Sequence, residues 1–170
     1  MDNWRQIVES NVQPLVASVR RIVGNDHDAE DVVQEVFAEA YLLAQKKHVD
    51  HWPALLRTMA QRRAIDQLRR TTRNNCSTNS ESLNWVPSDQ DAPPETSEAS
   101  DLQNLLRQSL TKLSDREAAV FSLAYFDSLS RSEIAATLQT SENAVSVALH
   151  KASKRLKDLL QDTNQTDRTD

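Results

Sequence analysis

A chain of 170 residues with one glycine, five prolines, 38% hydrophobic residues and few alternating β-branched runs excludes a sheet protein and points to an almost wholly helical one. A lone cysteine excludes an intrachain disulfide and suits a reducing cytoplasm, no apolar run approaches membrane-spanning length, and the opening MDNWRQIVES does not read as a signal peptide. The net charge of −5 argues against nucleic acid only until it is divided: residues 1–75 sum to +1, 76–100 to −5, 101–160 to +1 and 161–170 to −2.

Residues 2–23 carry Trp4, Ile7, Val8, Val12, Leu15, Val16, Val19, Ile22 and Val23 at helical spacings. Pro14 lies inside that pattern, so a short helix, a break or kink, and a second helix are expected. Gly24 follows the last apolar residue, where a left-handed helix end favours glycine. The next helix is expected over residues 28–46, with Val32, Val33, Val36, Phe37, Ala40, Tyr41 and Ala44 toward a core. On its far side Asp31, Glu35 and Glu39 stack four residues apart with no lysine partner, and Leu42 lies exposed near them. The helix dipole accounts for acids in the first turn, but Glu35 and Glu39 lie too far along for it. Like charges at this spacing weaken an isolated helix by roughly 0.2–0.5 kcal/mol, so the stripe is a candidate surface for a basic partner.

After a short turn, residues 52–73 read WPALLRTMAQRRAIDQLRRTTR, with Pro53 in the first helical turn, where its missing N–H costs nothing. Leu56, Ala60, Ala64 and Leu68 form an apolar stripe, and Arg62, Asp66, Arg69 and Arg73 lie on roughly the opposite side. Six arginines against one aspartate make this helix either a solvated face or a surface for nucleic acid. Residues 76–100 then hold six serines, three prolines and five acids without a basic residue, the composition of a flexible, self-repelling linker. Its only apolar island is Leu83, Trp85 and Val86, a remnant or an anchor. Two thin helical cores on either side imply modest stability.

Residues 101–160 resolve into four helices. Leu102, Leu105, Leu106 and Leu110 mark the first, and Ser114 with Glu117 forms a capping box that opens the second. Ser130 with Glu133 forms another, opening a short helix with Ile134, Ala135 and Leu138. Gln139, Thr140 and Ser141 make a three-residue turn without the glycine often found there. A long helix follows with Val145, Leu149, Ala152, Leu156 and Leu159 on one face. A short helix, a tight turn and a longer capped helix make a helix-turn-helix. Asn143, Ser146, Val147, His150, Lys151 and Lys154 point away from its core toward a major groove.

Catalytic chemistry is not in view. His27, His48, His51 and His150 fall in no metal-ligand spacing, a phosphate-cradling glycine loop is missing, and the acidic stripe has no Glu-x-x-His companion. The sequence gives no reason to expect an enzyme, a cofactor, a metal or a small-molecule substrate.

Three stretches, in this order, carry a resemblance: DAEDVVQEVF over residues 28–37, residues 55–70 with Ala60, Asp66, Arg69 and Arg70, and residues 113–156. Together they resemble the ECF (extracytoplasmic function) group of bacterial RNA polymerase sigma factors. The resemblance implies an all-α protein of two small helical domains joined by a flexible acidic linker. Region 2, a helical bundle, would occupy 1–75, the disordered linker 76–100, the region 4 helix-turn-helix 101–160 and a disordered tail 161–170. Asp31, Gln34, Glu35 and Glu39 would dock on the β′ clamp helices of core RNA polymerase. Trp52, Arg57, Arg62, Arg63, Asp66, Arg69, Arg70 and Arg73 would bind and melt the −10 promoter element. Asn143, Ser146, Val147, His150, Lys151 and Lys154 would meet the −35 element, region 4 also contacting the β flap. The implied function is promoter-specific transcription initiation in the cytoplasm, away from any membrane, with an anti-sigma protein as a partner the resemblance leaves open.

The chain also departs from the pattern. Leu55 replaces a usual tryptophan after Trp52, and Arg62 stands where an asparagine often holds a flipped −10 base. Ser146 and Ala148 replace basic residues in the recognition helix, and Ala124 replaces an upstream arginine. Each lost phosphate contact weakens binding and its salt dependence. Two alternatives stay open: a helix-turn-helix transcriptional regulator with a different N-terminal module, whose C-terminal half also resembles response-regulator output domains, and a sigma-like interaction protein that does not itself open promoters.

Overall fold

The computed structural model describes residues 2–78 and 97–166, and these form seven helices with no strand among the described residues: α1 (Asp2–Val23), α2 (Asp26–Ala44), α3 (Trp52–Thr78), α4 (Ser97–Leu110), α5 (Asp115–Tyr125), α6 (Arg131–Thr137) and α7 (Glu142–Thr166). The body of the expected linker, with Leu83, Trp85 and Val86, and the last four residues of the expected tail lie outside the described residues. The helices run further than the composition suggested, through residues 76–78, 97–100 and 161–166. Neither proline nor glycine occurs in residues 69–78 or 157–166, so helix propagation there meets no stop.

The expected break at Pro14 is absent: α1 is one helix with the proline inside it. An interior proline costs about 3 kcal/mol, but buried residues hold the helix beyond it. Leu15, Val19 and Ile22 are fully buried after Pro14, and Trp4, Ile7 and Val12 pack on the same core before it. Burial of each such side chain is worth roughly 1.5–3 kcal/mol, enough to offset the lost bond. At the end of α1, Gly24 takes φ 93° and donates its N–H to the Arg20 carbonyl at 2.7 Å, the left-handed end expected of it. Asn25 then caps α2 by accepting the Asp28 N–H at 2.8 Å.

Helix α2 buries Ala29, Val32, Val33, Val36 and Ala40 against α1 and α3. Tyr41 and Ala44, expected inside, are exposed; Tyr41 sits at the rim of the bundle with its ring 5.4 Å from that of Trp4. Helix α3 buries the expected stripe of Leu56, Ala60, Ala64 and Leu68, and adds Ile65 and Gln61. At its start the Ala54 N–H donates to His51 Nδ1 at 3.2 Å.

Both capping boxes are present, at Ser114 with Glu117 and at Ser130 with Glu133. The turn after α6 closes without glycine because Gln139 takes the left-handed position at φ 50°. The Thr140 N–H bonds to the Ala135 carbonyl at 2.8 Å and the Gln139 N–H to that of Ala136 at 3.3 Å, a Schellman end. One apolar cluster lies inside the helix-turn-helix: Val120, Leu123, Ile134, Ala135, Val145 and Ala148. The larger cluster does not stop at the first three helices. It continues through Leu110, Leu113, Ala118, Phe121, Ala152 and Leu156: α4, α5 and α6 pack along α3, and α7 packs on those three helices.

The Ser114 main-chain N–H, its hydroxyl and the Arg155 guanidinium hold the Glu117 carboxyl below its ordinary 4.5. A carboxyl depressed in the folded state stabilises the fold above its unfolded pKa and loses that contribution as pH falls through the folded value. Urea midpoints are therefore expected to fall as pH drops below about 4.5, and Glu117→Gln to flatten that decline. Ser114→Ala should cost about 1 kcal/mol at neutral pH in the same measurement.

Candidate nucleic-acid interface

The outward side of α2 carries Asp31, Gln34, Glu35 and Glu39, all exposed, with Leu42 beside them at 57% exposure. The stripe is not wholly unpaired. Arg63 of α3 reaches across, Nη1 to Glu35 at 3.2 Å and Nη2 to Glu39 at 2.9 Å, and the hydrogen bond to Glu39 raises the Arg63 pKa. Asp31 faces His27 at 3.7 Å. The sequence showed no lysine partner on α2 itself; the partner comes from a neighbouring helix, which spacing within α2 does not reveal.

The arginines of α3 do not share one face. Arg63 turns to the carboxylates of α2. Arg69 turns to the C-terminal helices, where Nη1 meets Asp115 at 2.5 Å, Nη2 donates to the Leu113 carbonyl at 2.8 Å and Nε to that of Thr111 at 3.4 Å. Asp66 lies 3.7 Å from Arg69, and Arg62 and Asp66 line a cleft of about 520 Å³ with Asp115, Arg116 and Thr140. Arg57 lies near enough to Glu133 of α6 to favour its charged form, although the bonds from Ser130 act more strongly on it. Arg70 and Arg73 are exposed. Trp52 is half-buried, its ring edge-on to Trp4 at 5.4 Å, and so anchors the start of α3.

On α7, Asn143, Val147, His150, Lys151 and Lys154 are exposed and Ser146 is half-buried, all along the side away from the core. Ala148 is buried in the helix-turn-helix cluster, so the position faces inward rather than toward a groove. Arg155 turns to the other side and pairs with Glu117 at 3.3 Å. Lys151 and Val147 flank a groove of about 340 Å³ with Ser114 and Arg116 at the start of α5. Arg116, which donates to Thr140 at 2.8 Å, was not singled out from sequence; its place just inside the Ser114 cap, beside the turn before α7, was the available signal. Gln61 was missed as well. It is buried and donates to Ser18 at 2.7 Å and to Asp127 at 3.0 Å. Ile65, one turn on, marks that side of α3 as part of the apolar face.

Among the described residues, no cluster of histidine, cysteine and carboxylate groups is arranged to hold a metal ion, and no helix is long and apolar enough to cross a membrane. Residues 7–74 match the family model for sigma-70 region 2, and residues 103–156 match that for sigma-70 region 4. Together the two matches span more than two thirds of the chain. It is 27% identical over 160 residues to the ECF RNA polymerase sigma factor SigE of Mycolicibacterium smegmatis, covering 94% of this chain and 62% of that protein. The chain belongs to the ECF-type sigma-70 family. A second relative, the ECF RNA polymerase sigma factor SigW of Bacillus subtilis, is 26% identical over 169 residues, covering 95% of this chain and 90% of that protein. The fold is also that of the sigma factor RpoE of Bartonella quintana, solved in complex with the anti-sigma factor NepR. That match has a TM-score of 0.56 at 20% identity, covering 95% of this chain and 98% of that one.

The ion pairs of Arg63 are solvent-exposed, so they add little stability. Arg63→Ala is expected to cost less than about 1 kcal/mol in urea unfolding, and a larger loss would show that α2 depends on α3 for more than apolar packing.

Proposed function

We propose that this chain is an RNA polymerase sigma factor, a non-enzymatic specificity subunit that makes core polymerase start transcription at chosen promoters. The observation that supports it most is the joining, in one chain, of a region 2 match over residues 7–74 and a region 4 match over residues 103–156. A helix-turn-helix regulator with an unrelated N-terminal module leaves the first match without a cause. No cofactor takes part, and the work is done in the cytoplasm beside the polymerase.

In this reading Asp31, Gln34, Glu35 and Glu39 form the docking face for the basic clamp helices of the β′ subunit, with Leu42 as an apolar contact among them. Opposite charge steers the encounter and fixes register. The domain of residues 1–75 then brings Arg57, Arg62, Arg69, Arg70 and Arg73 toward the −10 element, where guanidinium groups neutralise phosphates and position the strand. Arg63 and Trp52 serve more to order the bundle, and Asp66 to orient Arg69. The domain of residues 101–160 contacts the β flap and lays α7 in the major groove at the −35 element. Without a guanidinium early in α7, base readout falls to Asn143, which suits adenine, and to Val147, 47% exposed and suited to a thymine methyl. Ser146 adds an adaptable hydrogen bond, while His150, Lys151 and Lys154 hold phosphates.

Co-purification with core polymerase and run-off transcription test the reading directly; failure to bind core at low salt would sink it. Glu35→Lys is expected to abolish core binding without weakening the duplex DNA affinity of the full chain. Asn143→Ala should lose roughly 1–3 kcal/mol of discrimination at one A·T position of a selected −35 library, with no change in salt slope.

A further inference from the structure

The first two turns of α7 carry no lysine or arginine: Asn143 and Val147 are exposed there, and the first fixed cation of the helix is Lys151. A cation nevertheless stands beside those turns, and it comes from α5. Arg116 lines the same groove of about 340 Å³ as Ala144 and Val147, with Lys151 one turn beyond Val147. Arg116 is exposed and its Nη2 donates to the Thr140 hydroxyl at 2.8 Å, while the rest of its guanidinium has no partner among the described residues. Thr140 is itself fixed, since its N–H closes the turn before α7 on the Ala135 carbonyl at 2.8 Å. The carboxylates on either side of Arg116 in sequence are committed elsewhere. Asp115 is turned to Arg69 at 2.5 Å, and Glu117 accepts the Ser114 N–H at 3.0 Å and pairs with Arg155 at 3.3 Å.

We propose that Arg116 is a −35 backbone-binding residue: Thr140 aims its guanidinium, and it holds DNA phosphate from the α5 side of the groove while Lys151 holds it from α7. This rests on the sigma-factor reading above and adds to it a residue outside the recognition helix. A guanidinium presents several donors in one plane, so one nitrogen can stay on Thr140 while others meet phosphate oxygens. Of the residues lining the groove only Glu117 is acidic, and its side chain, 13% exposed, is already paired with Arg155. Ala144 and Val147, between the two cations, carry no charge to repel a sugar-phosphate chain. Phosphate contacts fix register and orientation without reading sequence. A contact from α5, off the axis of α7, therefore fixes the angle at which Asn143 and Val147 meet the base edges.

Binding of the full chain to a duplex from the selected −35 library, measured over a range of salt, tests this. Arg116→Ala is compared with Lys151→Ala and with Arg5→Ala, a control that removes the same charge from an exposed ion pair on α1. At about 0.1 M salt Arg116→Ala should bind about fivefold to tenfold more weakly than Arg5→Ala, equally on every duplex, and its log–log salt slope should be shallower by about 0.9, the value for one phosphate. Single methylphosphonate substitutions each neutralise one phosphate, and one of them should weaken the unaltered chain but not Arg116→Ala. A scan without such a position overturns the inference. So does a weaker Arg116→Ala complex with unchanged slope, since Arg116 would then act on the turn before α7 and not on phosphate. If Arg116→Ala matches Arg5→Ala in affinity and slope while Lys151→Ala weakens binding, the inference is overturned and the sigma reading stands. If neither Arg116→Ala nor Lys151→Ala differs from Arg5→Ala, the groove does not face DNA, and the −35 part of the functional reading falls with the inference.

Discussion

Helix α3 must bury a continuous apolar stripe and find partners for its arginines, and much else in the structure follows from that double demand. Leu56, Ala60, Ala64 and Leu68 turn toward α1 and α2, where two alanines let the helices approach closely. The stripe leaves most of the helix circumference to charge. Carboxylates are therefore placed on both flanks: Glu35 and Glu39 on α2 for Arg63, Asp115 on α5 for Arg69, and Glu133 on α6 near Arg57. The acidic groups elsewhere in the chain are thus not a uniform solvated excess. Several lie where a basic helix needs them, which is how a protein of net charge −5 carries basic faces.

The C-terminal half answers a different demand, that of holding a recognition helix at a fixed angle with very little core. Six buried residues form its private cluster, none larger than Leu or Ile. So small a core gains from satisfied helix ends, since each cap is worth about 1 kcal/mol. Ser114 and Ser130 supply two starts and the Gln139 turn supplies a stop. Glutamine in a left-handed position costs roughly 1–2 kcal/mol that glycine would not. The turn closes all the same because two main-chain bonds and the buried Ile134 and Ala135 just before it determine its path.

Elements whose signal is local were legible in the sequence. Both capping boxes, the Gly24 helix end and the apolar stripe of α3 depend on residues within a few positions of one another, and the structure has them where spacing put them. Pro14 was misjudged because a local penalty was outweighed by burial against distant helices, and Tyr41 because periodicity does not show where the neighbouring helix ends. The candidate site was legible in its composition but not in its arrangement. Arg62, Arg63 and Arg69 read as one basic helix, yet they point to different neighbours, and only tertiary structure shows that Asp115 and Asp127 come from another part of the chain to meet Arg69 and Gln61.

That arrangement also orders the events a sigma-like chain would undergo. The carboxylate face of α2 lies outside the contact between the two halves, since Glu35 and Glu39 remain more than half exposed with Arg63 attached. A basic partner can therefore engage α2 without disturbing the contact between the two halves, displacing only exposed ion pairs that are individually weak. The arginine face of α3 is different: to meet a phosphate, Arg69 must first give up Asp115 and two carbonyls, and the apolar seam that joins α3 to α4 and α5 must be covered by something else. Exposing buried leucines and phenylalanine costs roughly 25 cal/mol for each Å² returned to water. DNA, a polar polyanion, cannot recover that cost, whereas a protein surface can. Docking on a protein partner before contact with DNA is thus the order that the burial pattern itself favours.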